Sequence, residues 1–310
     1  MQQSALVECI PNFSEGRRSD VIAQITSAAK TAPVHILDVS SDADHNRTVV
    51  TIAGAPEAVL HAAFAMCAAA ARLIDLDMHY GVHPRIGATD VIPFVPLHDI
   101  TLDACVELAR QLGRRIADEL GLPVYLYEAA ALRPERRNLA AIRRGGYEAL
   151  KTAIETDPDR TPDYGAPKLG RAGAVAVGAR MPLIAFNAYL NTDDVQTART
   201  IAESIRESGG GLKYVKALGL LVGGQAQVSM NLTDYRQTGL FAVMQALIRE
   251  AARHGAAVER TELVGLIPQA ALINYAVDAL GLPAHARLLT LEGRLGETLG
   301  DYRPILFDEQ

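Results

Sequence analysis

Two clusters of ionisable residues stand in the first half of the chain. One is Asp38-Val-Ser-Ser-Asp42-Ala-Asp44-His45-Asn46-Arg47, at the end of a strand-like run and into its loop. The other is His79-Tyr-Gly-Val-His83-Pro-Arg85-Ile-Gly-Ala-Thr-Asp90, between an alanine-rich helix and the next strand. Acids, histidines and an arginine at adjacent strand ends form a constellation able to move protons and hold anions. An imidazole titrating near ~6.5 both accepts and returns a proton at neutral pH. His79 and His83 also stand four apart, the spacing of a zinc-binding helix. Gly81 and Pro84 oppose a helix there, however, and no HExxH glutamate lies between them. General acid/base histidine, metal ligand and loop histidine satisfied by backbone groups are therefore three open readings of this segment.

The second half carries Lys213 and Lys216 near a strand whose residues alternate. Val228, Met230 and Leu232 share one face, and Gln227, Ser229, Asn231 and Thr233 the other. With Gln225, that polar face is either ordinary solvated sheet or a row of amides and hydroxyls turned to a ligand. Arg136, Arg137, Arg143 and Arg144 read as a solvated basic face. Cys9 lies in a strand pattern, Cys67 and Cys105 lie in helix patterns and face the core, and the three form no CxxC pair, so neither a nucleophile nor a disulfide framework is expected. There is no GxSxG elbow, no GxxxxGK[ST] loop and no GxGxxG after the first strand, which disfavours serine hydrolase, ATP-driven and nicotinamide chemistry.

The elements that must position these residues follow one rhythm twice. In the first half, a strand at 6–10, a helix at 17–30, a strand at 34–39 and a strand near 49–52 precede a helix at 57–73. Pro56 suits that helix's first turn. Residues 91–95 form a strand that Pro93 assigns to an edge. Thr101 caps a helix over 102–120 that stops at Gly121, and 124–127 is strand-like. The stretch 155–173, with its prolines, glycines and charges, reads as a linker or a ligand-spanning loop. The second half then gives strand 182–190, helix 193–207, strands 212–218 and 226–232 around Gly223-Gly224, helix 240–254 and strand 258–266. This is the β-α-β-β-α-β order of the split βαβ unit. The expected fold is α/β (α+β): two related subdomains, 1–180 and 181–300, each a mixed sheet with helices on one face, followed by a tail at 301–310. A cleft between them is the natural ligand site.

The 310 residues comprise 49% hydrophobic and 21% charged residues, enough for a sizeable core. A formal charge of −6, only 5% aromatic residues and no Trp argue against a nucleic-acid partner. No basic n-region precedes an apolar run at the N-terminus. The longest weakly polar run, 58–71, falls short of the ~18 apolar residues a membrane helix needs, so a cytoplasmic protein without membrane contact is expected.

Five segments, LVECIPNFSEGR (6–17), DADHNRTV (42–49), HPRIGATDVIPFVP (83–96), GLPVYLY (121–127) and QVSMNLTDY (227–235), together resemble the glutamate formimidoyltransferases, also found as the transferase half of formimidoyltransferase-cyclodeaminases. The resemblance covers residues 4 to about 300 and leaves no room for a cyclodeaminase domain. It implies a homodimer with a positively lined tunnel between subdomains. It implies transfer of a formimidoyl group from N-formimidoyl-L-glutamate to N5 of tetrahydrofolate or its polyglutamates, in histidine degradation; no metal is expected, because His79 and His83 lack a convincing ligand set. A formyl donor and a non-catalytic folate-binding module are the alternatives.

Carried onto this sequence, the resemblance puts the catalytic histidine on His83. It puts the folate loop on Gly165, Ala166, Pro167, Lys168, Leu169, Gly170, Arg171, Ala172 and Gly173. Mammalian members carry an acid where this chain has Ser40, which leaves Asp38 or Asp42 as the assisting carboxylate. The substrate carboxylates call for cations, with Arg47, Arg85, Arg180, Lys213 and Lys216 as candidates. Gln227 and Asn231 are the candidate amides.

Overall fold

The computed structural model describes residues 5–298; the tail expected at 301–310 lies outside the described residues. Among the described residues, eleven strands form two sheets. The first contains β1 (Leu6–Cys9), β2 (Asn12–Phe13), β3 (His35–Asp42), β4 (Arg47–Gly54), β5 (Thr89–His98), β6 (Val124–Glu128) and β7 (Val175–Ala179). The second contains β8 (Ile184–Leu190), β9 (Val215–Val222), β10 (Gln225–Leu232) and β11 (Val258–Val264). In the first sheet β3 pairs with β4. Both pieces of the interrupted strand β1/β2 lie between β4 and β5, and β7 and β6 extend the sheet in parallel beyond β5.

Helices α1 (Ser19–Ala28), α2 (Pro56–Leu73) and α3 (Leu102–Leu120) cover one face of that sheet. The signals for them are local. Pro56 occupies the first turn of α2. The Thr101 hydroxyl accepts from the Ala104 N–H at 3.1 Å, and Gly121 closes α3 with a φ of 67°.

Strand β6 (VYLYE) explains what covers part of the other face. Val124 and Leu126 join the core under α2 and α3, while Tyr125 and Tyr127 join a separate cluster with Ile142, Leu150 and Ile154. Those last residues come from α4 (Leu139–Ile142), α5 (Gly146–Ala153) and the turn after it. The first subdomain therefore carries helices on both faces, not on one as expected, because β6 is apolar on both sides.

Three further expectations change. The strand expected at 34–39 is not buried: β3 is an edge, with Leu37 and Val39 exposed. β5 is central although it contains Pro93. The proline lies opposite the break at Ile10-Pro11 between β1 and β2, and the Ile10 N–H donates to the Pro93 carbonyl at 3.2 Å, so its missing N–H falls where the ladder is interrupted. β7, a run of small residues (VAVGA), was not anticipated and is wholly buried between β5 and β6.

The second sheet has the order β11-β8-β10-β9 with every neighbouring pair antiparallel. The split βαβ arrangement produces this, since each pair of parallel strands is separated by an antiparallel one; a mixed sheet was the expectation. Helices α6 (Val195–Ile205) and α7 (Leu240–Arg253) pack on Val228, Met230 and Leu232. The opposite face, with Asn187, Ser229 and Asn231, stays open. The first sheet ends at Ala179 and the second begins at Ile184.

Candidate active site

The open face of the second sheet and the uncovered part of the first enclose a cavity of about 1070 Å³. From the first sheet it is lined by Asn12, Asp42, His45, Arg47 and Thr51, with His83 and Arg143 beside them. From the second come Asn187, Lys216, Ser229, Asn231 and Glu262. Lys216 crosses between the halves: its Nζ donates to Glu128 Oε1 at 2.9 Å.

The floor is built on Asp90, which is fully buried in β5. Its carboxylate accepts from Arg47 Nη1 at 2.7 Å, from Arg143 Nη2 and, through Oδ1, from the Ile86 N–H at 3.0 Å. Burial raises the Asp90 carboxyl, but the two guanidinium groups outweigh it and hold the group below the ordinary carboxylate range. One carboxylate between two guanidiniums leaves a surplus positive charge on this floor. Arg47 is brought down to about 10, by burial above all, and stays charged at neutral pH.

His83 is half-buried over this floor. Its Nδ1 lies 2.8 Å from the Pro84 carbonyl. A carbonyl only accepts, so Nδ1 carries the proton and Nε2 the lone pair. Burial first, then the charges of Arg47 and Arg143, push the His83 imidazole well below its ordinary value. The side chain is thus a neutral base at pH 7.

His79 is different. Its Nε2 donates to the Asn46 carbonyl at 3.0 Å, and its Nδ1 accepts from Arg85 Nε at 2.9 Å. Both nitrogens are used, and the ring is buried outside the cavity. Gly81, between the two histidines, passes so close to the hairpin turn joining β3 and β4 that a Cβ there would meet the His45 carbonyl at 2.3 Å. Among the described residues no group of three or more His, Cys, Asp or Glu is arranged to hold a metal.

Of the remaining candidates, Arg47, Arg180, Lys216, Asn231 and Asp42 line the cavity together with His83. Asp42 engages His45 rather than His83: it accepts from the His45 N–H at 2.7 Å, and its Oδ2 is 3.5 Å from His45 Nδ1. Asp38 stands in register with Thr51 on β4; its Oδ2 is buried without a partner, and it does not line the cavity. Arg85 lies outside, forked onto Glu148 at 2.8 and 3.1 Å. Lys213 is exposed away from the cavity. Gln227 is fully buried, with neither amide atom partnered.

The loop Gly165–Gly173 does not line the cavity. Gly173, at φ 71°, passes directly over Ile86, where a Cβ would sit 2.2 Å from the carbonyl oxygen; this close approach is to backbone. The loop therefore abuts the segment three residues past His83. Its Lys168 and Arg171 point to solvent and, among the described residues, form no ion pair.

The three cysteines are buried, and burial drives Cys67 up to about 12 and Cys105 to about 11, so neither supplies a thiolate. His45 and Asp90 belong to the two ionisable clusters but are not among the candidate site residues, and Arg143 read as part of a solvated face. For Asp90 a further signal was its place inside the otherwise apolar run TDVIPFV, where an acid requires a buried cation.

The comparisons with known proteins agree over nearly the whole chain. The N-terminal subdomain of the formiminotransferase domain matches residues 6–180, and the formiminotransferase domain matches residues 185–279. The glutamate formimidoyltransferase of Streptococcus pyogenes serotype M1 is 48% identical over 275 residues, covering 87% of this chain and 92% of its own. That of Thermoplasma acidophilum is also 48% identical, over 277 residues, covering 88% and 91%. The formimidoyltransferase-cyclodeaminase of Sus scrofa is 41% identical; the match takes in 97% of this chain and 58% of the longer protein.

Proposed function

The chain belongs to the formiminotransferase family, and from that premise we propose that it moves a formimidoyl group from N-formimidoyl-L-glutamate to N5 of tetrahydrofolate. The observation that carries this reading is a neutral His83, with its Nε2 lone pair free, set over a cationic floor in a cavity between two subdomains. We take residues 1–180 and 181–300 as those subdomains.

The cavity fits both substrates. Its volume lies just above the ~300–1,000 Å³ usual for ligand pockets, room for two substrates. Leu37, Pro93, Pro96 and Leu97 offer apolar contact for a flat ring. Arg47, Arg143, Arg180 and Lys216 offer cations for glutamate carboxylates. The donor is an amidine, whose carbon is electrophilic once protonated, so no covalent enzyme nucleophile is required. His83 Nε2 takes the proton released at N5 as the new C–N bond forms. The cations hold the donor's carboxylates, and the two walls keep the reacting atoms at contact distance.

The test is product analysis. Purified protein with tetrahydrofolate is expected to turn over N-formimidoyl-L-glutamate, with mass analysis giving a formimidoyl-folate. Turnover of N-formyl-L-glutamate alone would assign formyl transfer, and saturable folate binding without turnover of either donor would make the protein a binding module.

We also propose that the anionic folate tail leaves the cavity toward residues 165–173, where Lys168 and Arg171 await a carboxylate partner. Tetrahydrofolate polyglutamate is expected to slow amide exchange in this loop, and a pterin without the tail to leave it unchanged. Equal exchange with and without the polyglutamate would remove the loop from the site.

A further inference from the structure

The hairpin turn between β3 and β4 carries a group that the transfer step described above does not use. His45 is 8% exposed, lines the cavity, and its Nε2 is buried without a hydrogen-bond partner. A buried ring nitrogen left unpaired in the free protein is costly unless a ligand completes it. Its other nitrogen faces Asp42 at 3.5 Å, and its ring stands edge-on to His83, with centroids 6.0 Å apart and planes at 82°. The turn is held from one side by Gly81, which passes so close that a Cβ there would meet the His45 carbonyl.

We propose that His45 is a second proton-transfer residue of this site: its Nε2–H protonates the departing glutamate nitrogen while His83 Nε2 removes the proton from the attacking one. The assignment rests on the formimidoyl-transfer reading and deepens it. Each step conserves protons and charge. His83 gains the N5 proton as the bond from N5 to the amidine carbon forms. His45, its Nδ1–H turned toward the Asp42 carboxylate, gives up its Nε2 proton as the bond from that carbon to the glutamate nitrogen breaks. Glutamate leaves as an amine and the transferred group stays an amidinium. The two imidazoles end with their charges exchanged, and one proton passing from His83 to His45 resets the site. The charged and titratable groups set around the pair are Asp42 and Arg47 from the β3–β4 hairpin, Asp90 from β5 and Arg143 at the end of α4.

The test compares His45→Gln, which keeps the side chain's reach and polarity without a transferable proton, with wild type and Asp42→Asn. In His45→Gln, kcat is expected to fall roughly 10²-fold, the lower end of what general acid catalysis contributes. Tetrahydrofolate affinity, read by fluorescence quenching, should stay at the wild-type value. Asp42→Asn should lower kcat in the same direction by a smaller factor, with the His45 ring still in place. A His45→Gln enzyme with wild-type kcat overturns the assignment and leaves formimidoyl transfer standing. Loss of folate affinity in step with kcat would make His45 a folate-binding residue and equally overturn it. A wild-type protein that turns over no formimidoyl donor rejects the underlying reading, and the role of His45 with it.

Discussion

Replacing His83 by alanine is expected to lower kcat by ~10²–10⁴-fold, the range that a positioned general base contributes, while both sheets stay folded. The residue lies in a loop, half-buried, and holds its neighbours through a single bond to the Pro84 carbonyl, so its removal opens little core. A group that acts only in the transition state lowers kcat and kcat/KM together and leaves substrate affinity largely intact. The pH profile gives a second check. The base must be unprotonated, and burial with Arg47 and Arg143 pushes the His83 imidazole well below its ordinary value. Activity should therefore hold through neutrality and fall only as pH drops through that lowered value, an acid limb below ~6.5. His79→Ala is the control. It loses two hydrogen bonds that tie Asn46 and Arg85, so it should lower thermal stability and reduce kcat far less. Circular dichroism must first find both variants folded. Equal losses of kcat in the two would point to one shared network, and a near-wild-type rate for His83→Ala would remove the base from the mechanism.

The parts of this site legible in the sequence are those governed by local rules. Thr101 and Gly121 delimit α3, Pro56 opens α2, and alternation along β10 separates Val228, Met230 and Leu232 from Ser229 and Asn231 as the structure does. The split βαβ order followed from the same signals. Long-range pairing was not legible. Arg143 looks like one more surface arginine beside Arg144; only the return of α4 across β5 and β6 carries it to Asp90. Arg85 follows His83-Pro84 and invites a substrate role, yet Glu148, sixty-three residues away, takes its fork. β7 carries no periodic signal, because a strand buried on both sides and between two neighbours needs neither alternation nor bulk. His45 lay within a cluster already singled out, but a free Nε2 is a property of the folded turn.

Asp90→Ala is expected to cost ~3–5 kcal/mol of stability, the penalty for removing one partner of a buried ion pair and leaving the other charge uncompensated. Here two guanidiniums are stranded: the Arg47 and Arg143 side chains are 11% and 14% exposed, and Asp90 is the carboxylate they share. The Ile86 N–H loses its acceptor as well, which loosens the segment that leads from His83 into β5. Asp90→Asn keeps the shape and one acceptor and removes only the charge, so its loss should be smaller and should persist across neutral pH. The sign of the pH dependence follows from the depressed carboxyl. The folded state binds the Asp90 proton more weakly than the unfolded chain does, so the stabilisation is fully present above the unfolded value of ~3.9 and fades as pH falls through the lower folded value. In thermal and urea melts at pH 7 and pH 5 the gap between wild type and Asp90→Asn should be constant, and it should narrow only in more acidic buffer. An Asp90→Ala protein as stable as wild type at pH 7 would mean that solvent reaches and satisfies both guanidiniums. The cationic floor beneath His83 would then be a hydrated surface, and burial together with the neighbouring guanidinium charges would no longer explain why that imidazole is neutral.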